Sequence, residues 1–275
     1  MVLKRQLMII DFHTHAFPDA LAPRAIESLS KINFNGDGPY TDGTAADSER
    51  LLRSAGISRA VVCNIATNAK QEHNVNSFAI SLTARSDFFS PLGSLHPDST
   101  EKEAELDRLL AAGIRGVKLH PDYVRIALSD ERYTEIFGLL EERGMFATVH
   151  AGFDPVSPDR VHTTADMLLS AVKRFPRLKL IGAHMGGFRC SREVLEKLVG
   201  TNVYIDTSLS ALRGEETEAL YEILKNHSPE RILFGTDTPW SNPESEIAFV
   251  ERAPISDLAK EKIFSQNAIS LLGID

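Results

Sequence analysis

The residues of this chain best suited to chemistry are histidines and aspartates that directly follow short apolar segments. His13 and His15 flank Thr14 just after the apolar residues 7–10. In an extended chain, side chains two residues apart project to the same face, so both imidazoles can reach one cation. Taken alone, this pair also fits a capped turn or hydrogen-bonded core histidines. Its meaning therefore depends on the residues that end the later apolar segments.

Similar residues end most of the apolar segments along the chain. They are Asp11, His96, Lys118, His120, His150, His184, Asp206 and Asp237. In a closed barrel of parallel strands, the carboxyl ends of all strands meet at one mouth. Imidazole and carboxylate ligands without thiolates suit Zn²⁺, with Mn²⁺, Fe²⁺ or Co²⁺ as competitors. The pattern favours a metal site at the mouth of such a barrel.

Strand-like and helix-like segments alternate along the chain, which is typical of a parallel sheet. The pattern predicts strands at 7–12, 59–65, 89–95, 116–120, 146–150, 178–184, 203–207 and 231–237. Predicted helices include 101–112, 130–143, 164–175, 193–199, 215–226 and 256–272. We expect an α/β fold in which a single (β/α)₈ TIM barrel spans residues 1–275, with an open doubly wound sheet as the alternative. Residues 32–44 form a predicted loop long enough to act as a lid.

Composition and charge exclude several classes of partner. The 275 residues carry a formal net charge of −8 and no run of basic residues, so we expect no nucleic acid and no membrane surface as partner. No apolar stretch approaches the roughly 20 residues that span a bilayer, and residues 1–10 are interpreted as a first strand rather than a signal peptide. The two cysteines, Cys63 and Cys190, form no CxxC motif, which favours reduced thiols and a cytoplasmic protein. A small-molecule substrate remains as the expected partner.

Five short motifs together resemble the amidohydrolase superfamily. They are DFHTH (11–15), GVKLHP (116–121), HAG (150–152), AHMGG (183–187) and GTDTPW (235–240). The most similar branch is the amidohydrolase-related group that includes aminocarboxymuconate-semialdehyde decarboxylase and related aromatic acid decarboxylases. The resemblance extends over essentially the whole chain, in the same order. It implies a distorted barrel in which His13, His15, His150 and Asp237 bind one divalent metal, with Zn²⁺ expected.

The resemblance also implies roles in proton transfer. A metal with an open coordination position lowers the pKa of bound water to about 7. Asp237 then accepts the proton of the water and delivers it to a leaving group, and His184 orients the water or donates to an oxyanion. The structural alternatives are a turn cap for Asp237 before Pro239 and a packed side chain for His184 before a glycine pair.

The chemical state of Lys118 distinguishes a two-metal centre from a one-metal centre. In some amidohydrolases a fourth-strand lysine is carboxylated and bridges two metals, and such a centre would recruit Lys118, His150 and His184. The single-metal branch implies instead an unmodified lysine that pairs with a carboxylate or with an anionic substrate. We favour one metal. Candidate substrate-binding residues around it are His120, Tyr123, Arg125, Asp154 and Trp240, with Arg125 or Arg160 as a clamp for a substrate carboxylate.

These observations favour a metal-dependent hydrolase that uses activated water on a small ester, lactone or amide. The alternative is a metal-dependent lyase that decarboxylates a small unsaturated or aromatic acid without oxidation. A non-catalytic barrel with a vestigial metal site is the third hypothesis. A TatD-like nuclease is disfavoured because the fourth predicted strand ends in Lys118 and His120, without a glutamate ligand. The resemblance alone suggests a homodimer.

Overall fold

Eight short parallel strands form the centre of the computed structural model, which describes residues 8–32 and 38–274. The strands are β1 (Ile10–Thr14), β2 (Arg59–Val62), β3 (Gly93–Ser94), β4 (Gly116–Leu119), β5 (Phe146–Val149), β6 (Leu180–Gly182), β7 (Tyr204–Asp206) and β8 (Ile232–Leu233). Each of them lies within or next to one of the eight predicted segments. Leu7, where the first predicted strand begins, lies outside the described residues.

The strands close into a barrel. β3 to β8 form one continuous parallel sheet, and β1 pairs with β2 in a second. The Leu92 amide donates to the Val62 carbonyl at 2.9 Å, which joins β2 to the segment before β3. The Phe12 amide donates to the Phe234 carbonyl at 2.7 Å, which joins β1 to the segment after β8. The predicted (β/α)₈ barrel is confirmed, and the open doubly wound sheet is wrong.

Helices follow the strands and pack against them. They are α1 (Ala22–Ser30), α2 (Ala45–Ser54), α3 (Glu72–Arg85), α4 (Lys102–Ala111), α5 (Pro121–Val124), α6 (Glu131–Glu142), α7 (Ala165–Arg174), α8 (Ser191–Lys197), α9 (Thr217–Asn226), α10 (Pro243–Arg252), α11 (Asp257–Glu261) and α12 (Asn267–Leu272). Side chains of Thr44, Asp130 and Thr164 accept backbone N–H groups at the starts of α2, α6 and α7. The predicted last helix, 256–272, contains a π-helical turn over Lys262–Gln266.

Several strands end earlier than their apolar pattern predicts. The backbone φ angles of His184 and Asp237 are 57° and 68°, so neither residue can continue an extended strand. β6 therefore stops at Gly182, although the next residue, Ala183, is apolar. β8 stops at Leu233, although the next residue, Phe234, is apolar. In contrast, β1 extends through His13 to Thr14, because both of its neighbours pair with this segment. The early ends leave the polar residues on turns at the mouth of the barrel.

Apolar packing surrounds the strands in two clusters. The larger cluster fills the space between the strands and the outer helices. The smaller cluster joins Phe12, Phe146 and Leu233 to Ala268 and Leu271 of α12. Among the described residues, none of the helices combines the length and apolar character needed to cross a bilayer.

Candidate metal centre

Three of the predicted metal ligands lie together. The Nε2 atoms of His13 and His15 lie 3.3 Å and 3.0 Å from Oδ1 of Asp237. One ligand atom from each of the three residues falls within 4.8 Å of the others. The alternation in β1 places both imidazoles on one face, and the left-handed backbone at Asp237 turns its carboxylate toward them. These residues fit a divalent cation that takes nitrogen and oxygen ligands.

The other ring nitrogen of each histidine has a buried acceptor. Nδ1 of His13 lies 2.8 Å from Oδ2 of Asp206, and Nδ1 of His15 lies 3.0 Å from the Cys63 carbonyl. These acceptors hold the proton on Nδ1, so that Nε2 carries the lone pair that could bind a metal. Burial, with the charge of Lys118 second, lowers the pKa of His13, which favours the neutral ring that binds a metal.

Lys118 is buried beside His13. Its Nζ atom lies 3.0 Å from Nε2 of His13, and its side chain is almost fully shielded from solvent. Within residues 8–32 and 38–274, no carboxylate oxygen lies within 4.0 Å of this ammonium group. The ammonium thus occupies the lone pair that a metal would take. A metal bound to Nε2 of His13 requires the Lys118 ammonium group to withdraw.

His150 and His184 contact each other. Nδ1 of His150 lies 3.1 Å from Nε2 of His184, and Nε2 of His150 lies 3.3 Å from Oδ2 of Asp154. The structure therefore places His150 beside His184 and Asp154, outside the group formed by His13, His15 and Asp237. Burial, reinforced by the neighbouring His150, holds the pKa of His184 well below its usual range. His184 also stacks on His13, with ring centroids 4.9 Å apart.

Asp206 and Ser208 connect these groups, although we assigned no role to Ser208 from the sequence. Oδ1 of Asp206 accepts the backbone N–H groups of His184 and Ser208 at 3.0 Å and 3.1 Å, and it also accepts the Ser208 hydroxyl. The Ser208 Oγ atom lies 2.7 Å from Nδ1 of His184. Burial alone would raise the pKa of Asp206, but contact with His13 holds it well below its usual range. The position of Asp206 at a strand end was the available signal.

Four of the five candidate substrate-binding residues line one cavity beside the group formed by His13, His15 and Asp237. His120, Tyr123, Asp154 and Trp240 line this cavity, as do all the candidate metal-site residues. The His120 ring stacks on Tyr123 at 3.8 Å and on His150 at 4.3 Å between centroids.

The two arginines expected to clamp a substrate carboxylate do not line this cavity. Neither Arg125 nor Arg160 is among its lining residues. Arg125 ends α5 in a left-handed conformation, which directs the chain away after Val124. The neighbouring His162 is held by Asp122, with 3.0 Å between Nδ1 and Oδ1.

An arginine that we did not single out from the sequence does line the cavity. The Arg189 guanidinium lies over the rings of Phe153 and Phe188, 5.4 Å from each centroid. It is exposed, and in the described part of the chain no carboxylate pairs with it. No motif marks this residue, because its place depends on Phe153 from the preceding loop.

Comparisons with known proteins agree with the barrel fold. The chain matches the family model for amidohydrolases over residues 10–274. A search of curated proteins found no significant match.

Solved structures share the fold at low sequence identity. An uncharacterised TIM-barrel protein from Bordetella bronchiseptica is 21% identical, with a TM-score of 0.78 over 97% of this chain and 99% of that chain. A dihydroxybenzoic acid decarboxylase from Polaromonas sp., solved with manganese and the inhibitor 2-nitroresorcinol, is 17% identical, with a TM-score of 0.68 over 97% of both chains. A Pseudomonas putida protein provisionally assigned as a 2-pyrone-4,6-dicarboxylic acid hydrolase is 17% identical, with a TM-score of 0.66 over 97% of this chain and 98% of that chain. Because the family model covers nearly the whole chain, this protein belongs to the amidohydrolase family.

Proposed function

We propose that this protein is a metal-dependent hydrolase that cleaves a small ester, lactone or amide bond. The observation that carries the proposal is the position of Asp237, whose Oδ1 atom contacts the Nε2 atoms of both His13 and His15. We propose one divalent ion, most suitably Zn²⁺, held by these three residues and by a rotated His150. When bound, such an ion polarises a carbonyl group and activates water.

Asp237 is suited to accept a proton at this position. Burial alone would raise its pKa, but the hydrogen bond with His15 and the charges around it lower the pKa below the usual value. The carboxylate is therefore ionised at neutral pH and able to act as a base. After accepting a proton from the attacking water, it can deliver that proton to the leaving group.

A directed chain of hydrogen bonds supports His184. Ser208 donates to Asp206, so its oxygen accepts the Nδ1 proton of His184. This arrangement leaves Nε2 of His184 as an acceptor, 3.1 Å from Nδ1 of His150. His184 is thereby held in one orientation beside the reacting centre, where it positions water or a substrate oxygen.

Decarboxylation of a small aromatic or unsaturated acid is the second candidate. Two cations without a carboxylate partner among the described residues, Lys118 and Arg189, line the cavity and suit a carboxylate substrate. The rings of Tyr123, Phe188 and Trp240 offer flat surfaces for a planar molecule. The related decarboxylase from Polaromonas sp. supports this alternative by fold.

The deciding experiment offers metal-loaded protein two substrate panels, one of esters and lactones and one of aromatic acids, in ¹⁸O-labelled water. Hydrolysis incorporates one ¹⁸O into the carboxylic acid product, whereas decarboxylation releases carbon dioxide and leaves the organic product without ¹⁸O. We expect ¹⁸O incorporation by the native protein and its loss in Asp237→Asn. Carbon dioxide release without ¹⁸O in the organic product would show that the protein is a decarboxylase and not a hydrolase.

A double variant tests the third hypothesis, a barrel without activity. Replacing both His13 and His15 by alanine should abolish metal binding and turnover. His73→Ala is the matched control, because the imidazole of His73 is exposed on α3. If the double variant keeps its metal content and every measurable turnover, the metal centre has no catalytic role.

A further inference from the structure

A second, apolar groove borders the cavity at the metal centre. Phe17, Leu21, Ala25, Val75 and Phe78 line this groove. The two spaces share four lining residues, which are His15, Leu29, Tyr123 and Trp240. Ala25 and Leu29 lie four residues apart on α1 and so face the groove together. The groove is therefore adjacent to the cavity at the metal centre.

We infer that this apolar groove binds an uncharged, apolar arm of the substrate, such as an alkyl chain. This inference rests on the proposed function, since the arm belongs to the molecule that reacts at the metal centre. His15 lies at the junction, because it contacts Asp237 at 3.0 Å and also lines the groove. A substrate with its reacting bond at Asp237 can extend an arm past Trp240 into the groove.

The character of the lining supports an apolar occupant. None of the described residues that line the groove is Asp, Glu, Lys or Arg. In contrast, Lys118, Asp154, Arg189 and Asp237 line the cavity at the metal end. Leu21 is 57% exposed at the groove, although a large apolar side chain in water is unfavourable. The two ends thus suit a molecule with a polar, reactive head and an apolar arm.

The length of the arm determines the expected effect. Each methylene that leaves water for an apolar groove should increase kcat/KM about fourfold. The increase should stop when the arm reaches the end of the groove. A groove filled by a larger side chain should remove the increase while short substrates still react.

The test uses γ-lactones and p-nitrophenyl esters whose alkyl arms grow from methyl to octyl. Ala25→Trp fills the groove, and Ser28→Trp is the matched control on the exposed face of the same helix. Val75→Trp fills the groove from α3 and replaces Ala25→Trp if that variant fails to fold. We expect kcat/KM to rise with arm length in the native protein and in Ser28→Trp, and to stay flat in the filled variants.

A binding measurement separates this inference from the proposed function. The uncharged fluorescent probe N-phenyl-1-naphthylamine should bind the metal-free protein and Ser28→Trp, but not the filled variants. If no ester or lactone reacts but the probe binds as expected, the hydrolase proposal fails while the groove is still shown to bind an apolar group. Equal probe binding by all variants, or a flat dependence on arm length in the native protein, would overturn the inference. It would also be overturned if Ala25→Trp converts a native dimer into monomers, because a second copy would then cover the groove.

Discussion

Asp206→Asn is expected to weaken metal binding, although Asp206 is not itself one of the proposed metal ligands. Oδ1 of Asp206 accepts the backbone N–H groups of His184 and Ser208, so an asparagine must keep its oxygen at that position. Its amide nitrogen then faces Nδ1 of His13, where the native carboxylate lies at 2.8 Å. Both atoms are donors in the native tautomer of His13. The ring must therefore move its proton to Nε2, the nitrogen that faces the metal group.

The expected loss of metal affinity lies at the upper end of the range usually caused by such a change. Removing a hydrogen-bond partner of a metal-binding histidine typically reduces metal affinity about 10- to 100-fold. Here the asparagine removes a buried carboxylate contact and also favours the wrong tautomer, and both side chains are completely shielded from water. We therefore expect about a 100-fold weaker affinity, equivalent to about 2.7 kcal/mol.

The assay is competition for Zn²⁺ between the protein and a chelator of known affinity. Asp107→Asn, an exposed aspartate of α4 paired with Arg143, is the control and should bind Zn²⁺ like the native protein. Thermal unfolding of each metal-free protein shows whether the barrel is intact. A folded Asp206→Asn variant that binds Zn²⁺ within about twofold of the native affinity would refute this account of how His13 is oriented.

Three further predictions concern the site and the fold. Lys118→Met should weaken binding of anionic substrates and leave one metal per chain by elemental analysis, whereas two metals in the native protein and their loss in the variant would contradict the one-metal proposal. Burial raises the pKa of Glu246 to about 8, so the folded protein retains a proton that the unfolded chain releases above about pH 4.5. The free energy of unfolding should therefore fall by up to about 5 kcal/mol between pH 4.5 and pH 8, and urea denaturation should show a smaller fall in Glu246→Gln. Gly152→Ala should cost more than about 2 kcal/mol in the same assay, because φ is 86° and a Cβ atom would lie 2.2 Å from the Phe188 nitrogen; an unchanged midpoint would contradict this.

The fold class was predictable from local patterns in the sequence. Apolar segments that alternate with amphipathic ones require a parallel sheet with helices on its outside, and eight such pairs suit a closed barrel. The shared face of His13 and His15 was equally predictable, because it depends only on the alternation of side chains in one extended strand. The strand ends were less predictable. The apolar pattern predicts a strand as far as His184, whereas β6 ends at Gly182, before the left-handed backbone at His184.

Contacts between distant strands were decided by the tertiary structure. Asp206 orients His13 across 193 residues, and the sequence places it only at a strand end. The contacts of His150 depend on the path of the loop after β5, because this loop brings Asp154 next to the His150 ring. Arg189 reaches the cavity because Phe153 and Phe188 support it, so its spacing in the sequence carries no signal.

The division between the two sources of information has a physical reason. Side-chain direction within a strand or helix follows from the local backbone geometry, and so does the burial of one face. Contacts across the barrel mouth depend on the register of every strand and on turns such as the left-handed one at Asp237. The sequence by itself determined that His13 and His15 share one face of the first strand. The closed barrel decided that Asp237 meets His13 and His15, while His150 contacts His184.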